Sequence, residues 1–428
     1  MKNIAIFVDS YNDLDHILPF IDYVLSNKKA RIVLYKIKTS NLSNCEDHLR
    51  YLREEYDLIP AEYDQNFRRH YVVLMGLYWS FYNFANKAKQ NPYLLPFLIF
   101  FSRLRPLAIY LTQQEVNRVQ KYMDIDVIMM DFGKELGLFG RAFVKYAQDK
   151  SITTIGYLHG FGIYTNLNSL EKDRVLLGPI KSFILKLSKP VMKRSYFDRY
   201  VVGNEQRDTL YSSSHVANFD QKYLYKVLEV GVPRFTSEWI DKYRKNVIRS
   251  GKFIFGDRNK INVVLFMSHP QYNVLVKELM KTIKSLASCD DINFVYKPHT
   301  RNGLRRIDSK SLNGYDASKI SSLELSTWAD VGIVYGSSIA FQLLQDNVLL
   351  IMPKYIHLNT TIFEENNACI LSNSLNDLMN IFKHSKDEIY QMVDQKNTSS
   401  LIRHYVYGNE NYTSLMNNFY HSVVNFNK

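Results

Sequence analysis

Asp330-Val-Gly-Ile-Val-Tyr-Gly-Ser-Ser338, continued by Ile339-Ala-Phe-Gln-Leu-Leu-Gln345, reads as a short buried strand, a Gly-Ser-Ser loop and a helix. That order gathers two hydroxyls and several free backbone N–H groups at one spot, where the helix dipole favours an anion. A phosphate is the natural occupant. The competing reading is a plain helix N-cap, since serine is favoured there whatever the function. Upstream, Phe294-Val-Tyr-Lys-Pro-His-Thr300 is a second strand ending in a polar loop, this one carrying a cation and an imidazole. Two such strand-end loops in one α/β unit point to a nucleotide site and to a nucleotide-activated donor.

Working outward, the chain alternates apolar runs with helical patterns, which predicts largely parallel sheets with crossover helices. The first half offers strands at Ile4 to Val8, Arg31 to Tyr35, Asp126 to Met130, Thr153 to Leu158, Arg199 to Gly203 and Tyr225 to Gly231. Gly231-Val-Pro-Arg-Phe-Thr-Ser-Glu-Trp239 then reads as a domain exit, because Gly and Pro punctuate a strand end. Further strands follow at Ile261 to Met267, Phe294 to Tyr296, Val331 to Tyr335 and Leu349 to Met352. At 428 residues, two domains are expected. They are drawn as an acceptor domain over 1–238, a nucleotide-donor domain over 259–400 and a helical crossover over 401–428.

With 46% hydrophobic and 22% charged residues the composition is globular. The net charge of +12 suits anionic partners: phosphate-bearing substrates, an anionic membrane surface or nucleic acid. No zinc-finger spacing, basic tail or single-strand-binding motif supports the last, so no nucleic acid is expected. Cys45, Cys289 and Cys369 are isolated, which argues against disulfides and zinc and fits a reducing compartment. Met1 to Asp9 reads as a first strand rather than a signal peptide, so a cytoplasmic protein is expected, peripheral at the inner face of the plasma membrane. Two segments carry that peripheral expectation: Pro92 to Pro106, free of charge until Arg103, and 179–194, which has five cations and no acid. A core helix with one wet face is the alternative for each.

His159-Gly160 stands at a strand end, where parallel sheets present ligand-binding groups. An imidazole there could deprotonate an attacking hydroxyl, with Gly160 permitting a tight turn; a structural histidine reads equally well. Asp9 and Asp131, each at a strand end, are alternative bases. Lys297 and His299, assisted by Arg301, are placed to neutralise a donor phosphate, and Gly336, Ser337 and Ser338 to cradle it. In the loop after Pro353, His357, Asn359 and Thr360 offer groups for a sugar or ribose, and Glu364 is a further candidate beside a solvated-helix reading. Ser268-His-Pro270 is a second His-Pro pair at a strand end. No metal cofactor is expected, because no Asp-x-Asp stands in a strand-end loop.

An early His-Gly, a Lys-Pro-His-Thr loop, a Gly-Ser-Ser loop opening a helix and a Pro-x-Tyr segment, in that order, resemble the bacterial surface-polysaccharide transferases of the GT-B fold. The nearest are the CDP-glycerol glycerophosphotransferases of teichoic-acid synthesis and the capsule-type Kdo and sialic acid transferases. The resemblance spans roughly residues 150 to 370. It implies two Rossmann-like domains facing across a cleft, with a C-terminal helix crossing back. It also implies His159 as base, Lys297 and His299 on donor phosphate or nucleotide, and Ser337 and Ser338 on phosphate. Two departures stand out: Thr300 replaces the proline of the His-Pro motif, and no acidic-acidic-glycine motif lies near His159. The activity expected is metal-independent, inverting transfer of a sugar or polyol phosphate from a nucleotide-activated donor to a growing surface glycan such as capsule, lipopolysaccharide O-antigen or teichoic acid. The partners are the nucleotide-sugar donor and a glycan or lipid-linked acceptor. A non-hydrolysing sugar-nucleotide epimerase and an inactive nucleotide-sugar-binding partner are the alternatives.

Overall fold

The computed structural model describes residues 1–428 except 37–41, 43, 88–94, 121–123, 159, 166–196, 208–220, 249–252, 269–273, 299–313, 358 and 426–428. The chain divides into two compact units. The first comprises Met1–His159, Val175–Val230 and Met416–Lys428; the second comprises Gly160–Arg174 and Gly231–Leu415.

In the first unit, β1 (Lys2–Phe7), β2 (Ala30–Lys36), β3 (Ala61–Glu62), β4 (Val127–Asp131), β5 (Thr153–Tyr157), β6 (Arg199–Val202) and β7 (Val227–Glu229) form one sheet in the order β3-β2-β1-β4-β5-β6-β7. Every pairing in it is parallel. All five residues of β4 are buried, as expected for a strand covered on both faces. The covering helices include α1 (Tyr11–Ser26), α2 (Glu46–Tyr56), α3 (Arg69–Lys87), α4 (Leu95–Gln120) and α5 (Leu138–Asp149). Much of the chain's aromatic content settles here: Phe143 packs on Phe7 with ring centroids 4.3 Å apart and on Tyr63 at 4.7 Å. Each fully buried side chain of that size contributes roughly 1.5–3 kcal/mol.

In the second unit, β8 (Ile261–Phe266), β9 (Ile292–Lys297), β10 (Tyr315–Asp316), β11 (Val331–Val334), β12 (Leu349–Pro353) and β13 (Ile370–Ser372) form a sheet in the order β10-β9-β8-β11-β12-β13. It too is parallel throughout. Both sheets therefore grow outward in one direction from their first strand, then restart on its other side. That reversal is the hallmark of a Rossmann-like unit, and it opens a crevice at the carboxyl ends of β1 and β4 and of β8 and β11.

The boundaries differ from the sequence expectation in three places, the first being that Gly160–Arg174, expected in the first domain, belongs to the second unit. The chain leaves the first unit at Gly231 rather than after 238, because 231–248 packs into the second core: Val232 N–H donates to Val406 O at 2.7 Å. Gly231 has φ +71, and a Cβ there would stand 2.5 Å from that same carbonyl. The residues from Leu401 to Val406 are also second-unit core. Only from Met416 does the last helix, Tyr412–Val424, join the first unit. There Phe419 packs on Phe20 at 4.7 Å, Tyr420 Oη donates to Lys29 O at 3.0 Å and Tyr23 Oη donates to Asn417 Oδ1 at 2.5 Å.

Candidate functional site

At the crevice of the second unit, β8 and β11 are tied together past their ends, because the buried Ser268 donates its hydroxyl to Tyr335 O. The next residue, Gly336, has φ +68, a conformation that glycine adopts without strain. Tyr164 lies directly over it: a Cβ on residue 336 would fall 2.0 Å from Tyr164 Oη and 3.1 Å from Ser268 Oγ. Tyr164 is held by an antiparallel bridge to Thr361, flanked by Ile362 N–H donating to Ile163 O at 2.9 Å and Thr165 N–H to Thr360 O at 3.0 Å. Its ring stacks on His357 at 5.3 Å.

Ser337 and Ser338 follow this junction, both half-buried. Ser337 Oγ accepts from Ile339 N–H at 3.4 Å, while the Ser338 hydroxyl makes no cap hydrogen bond. The first bonded turn starts with Ala340 N–H donating to Ser337 O, so the amides of Ser337 and Ser338 precede it. The Tyr335 hydroxyl is buried, where it interacts with the Ser268 backbone and with Tyr164. Burial, the main cause, holds its pKa above the usual tyrosine value, so it stays a donor. Two half-buried hydroxyls and two amides that precede the helix thus lie where the topology opens the sheet.

Several sequence candidates have other occupations. Lys297 is buried, and its ammonium donates to Ser318 O at 2.8 Å and to Ile320 O. Burial lowers its pKa to about 8, against a smaller opposing pull from Asp316 and Glu324. It therefore braces the segment after β10 rather than projecting a cation. Glu364 accepts from Thr361 N–H and Oγ1 at 3.0 and 3.1 Å and pairs with Lys354 at 2.7 Å. Lys354 in turn donates to Asn359 O at 3.0 Å, so this loop pins itself. His357 and Asn359 are buried, and Thr360 is engaged through its backbone carbonyl. Gly160 has no positive φ and a Cβ there would meet nothing, so no tight turn demands it. His159, His299 and Arg301 lie outside the described residues, as does the 179–194 segment.

The crevice of the first unit holds a different set. Asp9 pairs with Lys134 at 2.6 Å, and Asp9 N–H donates to Asp13 Oδ2 at 3.0 Å. Burial disfavours the Lys134 ammonium, but Asp13, Asp9 and Asp131 together outweigh it and raise its pKa. Asp131 caps the following turn by accepting from Gly133 N–H at 3.0 Å. Buried Tyr157 donates to Asp13 O at 3.4 Å. Its hydroxyl is pushed well above its usual pKa, by burial first and by the aspartates second. Asp9 and Asp131, read from sequence as alternative bases, thus each have a structural partner. Sequence reasoning passed over Asp13, Lys134, Tyr157, Tyr164 and Tyr335. Tyr335 was within reach, since it immediately precedes the Gly-Ser-Ser loop.

No protein-family model matches the chain, and a search of curated proteins finds no match. Solved structures do resemble it. The glycotransferase of kitacinnamycin superposes with a TM-score of 0.54 at 11% identity, over 99% of this chain and 99% of that one. The UDP-GlcNAc 2-epimerase from Neisseria meningitidis bound to UDP-GlcNAc superposes with a TM-score of 0.53 at 10% identity, over 98% of this chain and 100% of that one. With the two sheet orders, this likeness over whole chains establishes an α/β fold of the GT-B kind with two Rossmann-like domains.

Proposed function

We propose that this chain is a glycosyltransferase that takes a nucleotide-activated donor at the β8/β11 crevice and transfers its sugar, or a polyol phosphate, to a surface-glycan acceptor. The observation that carries this reading is the placement of the Gly336-Ser337-Ser338 loop, whose Ser338 hydroxyl makes no cap hydrogen bond, at a topological switch point. Such a place offers a phosphate several donors aligned before it arrives, which is the electrostatic condition for stabilising a departing nucleotide. In the proposed chemistry the Ser337 and Ser338 hydroxyls and amides hold the diphosphate, with His299 and Arg301 adding positive charge. His159 removes the acceptor proton as the acceptor oxygen attacks the anomeric carbon from the face opposite the nucleotide, so the configuration inverts. The bond to the nucleotide breaks and its electron pair leaves with the phosphate. We take the reaction to run without a metal and the domains to be an acceptor and a donor domain.

A second reading is favoured by one specific observation, the likeness to an epimerase structure bound to UDP-GlcNAc. An epimerase would use the same phosphate cradle but need no acceptor. The deciding experiment has two stages, both with EDTA present. Thermal-shift titration with CMP, CDP, UDP, GDP and ADP finds the nucleotide, and the matching sugar nucleotide is then followed by NMR with and without a glycan acceptor. Turnover only with acceptor supports the transferase. A change of sugar configuration without acceptor replaces it with the epimerase. Silence from all five nucleotides sinks both.

A further inference from the structure

Helices α3 and α4 lie side by side in the first unit, joined by Tyr71 Oη donating to Thr112 Oγ1 at 2.8 Å and by Arg68 pairing with Glu115. Their inner positions, Tyr71, Met75, Tyr78, Ala108 and Val116, enter the core at the spacing expected of a helix face. The outer face of a surface helix is ordinarily polar. Here it is not: Val72, Val73, Leu74, Leu77 and Phe84 on α3, and Leu107 on α4, are exposed, Phe84 by 58%. Apolar patches this continuous mark interaction sites on soluble proteins.

Charge identifies the occupant. Between Asp64 and Glu115 the sequence contains no carboxylate, yet it contains six cations: Arg68, Arg69, Lys87, Lys89, Arg103 and Arg105. Arg69 and Arg103 are exposed beside the apolar residues, and neither belongs to an ion pair among the described residues. An interface with a second copy would set this one-signed surface against itself. An anionic bilayer takes both features at once, with apolar side chains entering the acyl boundary and arginines meeting headgroup phosphates. Among the described residues, no helix is long and apolar enough to cross a membrane, so the contact is one of lying on the surface. We infer that the outer face of the α3–α4 pair docks the protein on an anionic lipid bilayer, a role independent of the nucleotide chemistry proposed above.

The test is co-sedimentation of the full chain with phosphatidylcholine vesicles, with and without phosphatidylglycerol, at low and high salt. Two variants accompany it: Leu77→Ser/Phe84→Ser/Leu107→Ser, and Arg69→Glu/Arg103→Glu. Both change exposed side chains, and an unchanged circular-dichroism melt confirms that each folds. The wild type should pellet with phosphatidylglycerol vesicles and be released by salt. Each variant should bind about tenfold or more weakly. Trp79 emission should shift to the blue on binding, and the shift should be missing from Trp79→Phe. Binding that survives both variants would overturn the inference, because lipid would then be held elsewhere. So would absence of binding, whether or not light scattering shows a dimer that the serine variant breaks.

Discussion

Tyr164 occupies the space that any side chain at residue 336 would need: the Tyr164 hydroxyl stands 2.0 Å from where a Cβ on Gly336 would be. The glycine is therefore required twice, once by its φ of +68 and once by its neighbour. Gly336→Ala should destabilise the second unit by about 1–3 kcal/mol, read as a lower denaturant midpoint. Tyr164→Phe in the same chain should recover part of that loss, since it removes the closest atom. Strict additivity in the double-mutant cycle would show that the two residues do not press on one another.

Ser337→Ala/Ser338→Ala separates cradle from cap. The Ser338 hydroxyl makes no cap bond and Ser337 makes one long contact, so the ligand-free protein should lose no more than about 1 kcal/mol. Nucleotide affinity should fall by about tenfold or more, from two lost bonds to phosphate. A large drop in unliganded stability with nucleotide affinity intact would make this loop a helix cap and remove the support for the donor site.

Lys297 supplies a pH test. Its pKa falls from 10.5 in the ordinary state to about 8 in the folded chain, because burial disfavours the ammonium. Between those values the unfolded chain binds more protons than the folded one, so folding stability rises with pH across that window. Wild type should accordingly gain stability relative to Lys297→Met as pH climbs from about 8 towards 10.5. At neutral pH the variant should still be the weaker protein, by about 1–3 kcal/mol, since it abandons the carbonyls of Ser318 and Ile320. Urea denaturation at two pH values measures both effects. A difference independent of pH would mean that the ammonium is well solvated.

His159→Ala should lower turnover by about 10² or more while leaving nucleotide binding unchanged, as expected for loss of a general base. Single-turnover assays beside calorimetric titration distinguish these. Full activity in the variant would move the base elsewhere, and Asp9 and Asp131, already engaged by Lys134 and Gly133, would have to be released to serve.

The central strands were readable because short runs of consecutive apolar residues, as in Val127 to Met130 and Phe294 to Tyr296, suit a sheet covered on both sides. The edge strands β3, β10 and β13 were not, since two or three residues carry no period. The strand-end Gly-Ser-Ser loop could be read locally, and the structure sets it at a switch point. What surrounds it could not. Tyr164 reaches Gly336 only because residues 163–165 pair with 360–362, a contact between segments almost 200 positions apart with no local signature. Lys297 misled for a similar reason: its sequence neighbours suggest a phosphate, while carbonyls more than twenty residues downstream claim the ammonium.

The return of Met416–Lys428 to the first unit sets the order in which the protein can be made. A ribosome has synthesised the whole second unit before Phe419 and Tyr420 become available to Phe20 and Lys29. The side of α1 that receives them stays uncovered through most of translation, so the first half of the chain emerges first and is completed last. Truncation by as little as that final helix would leave both the nascent and the finished first unit with the same open apolar seam, a ready target for chaperones and proteases.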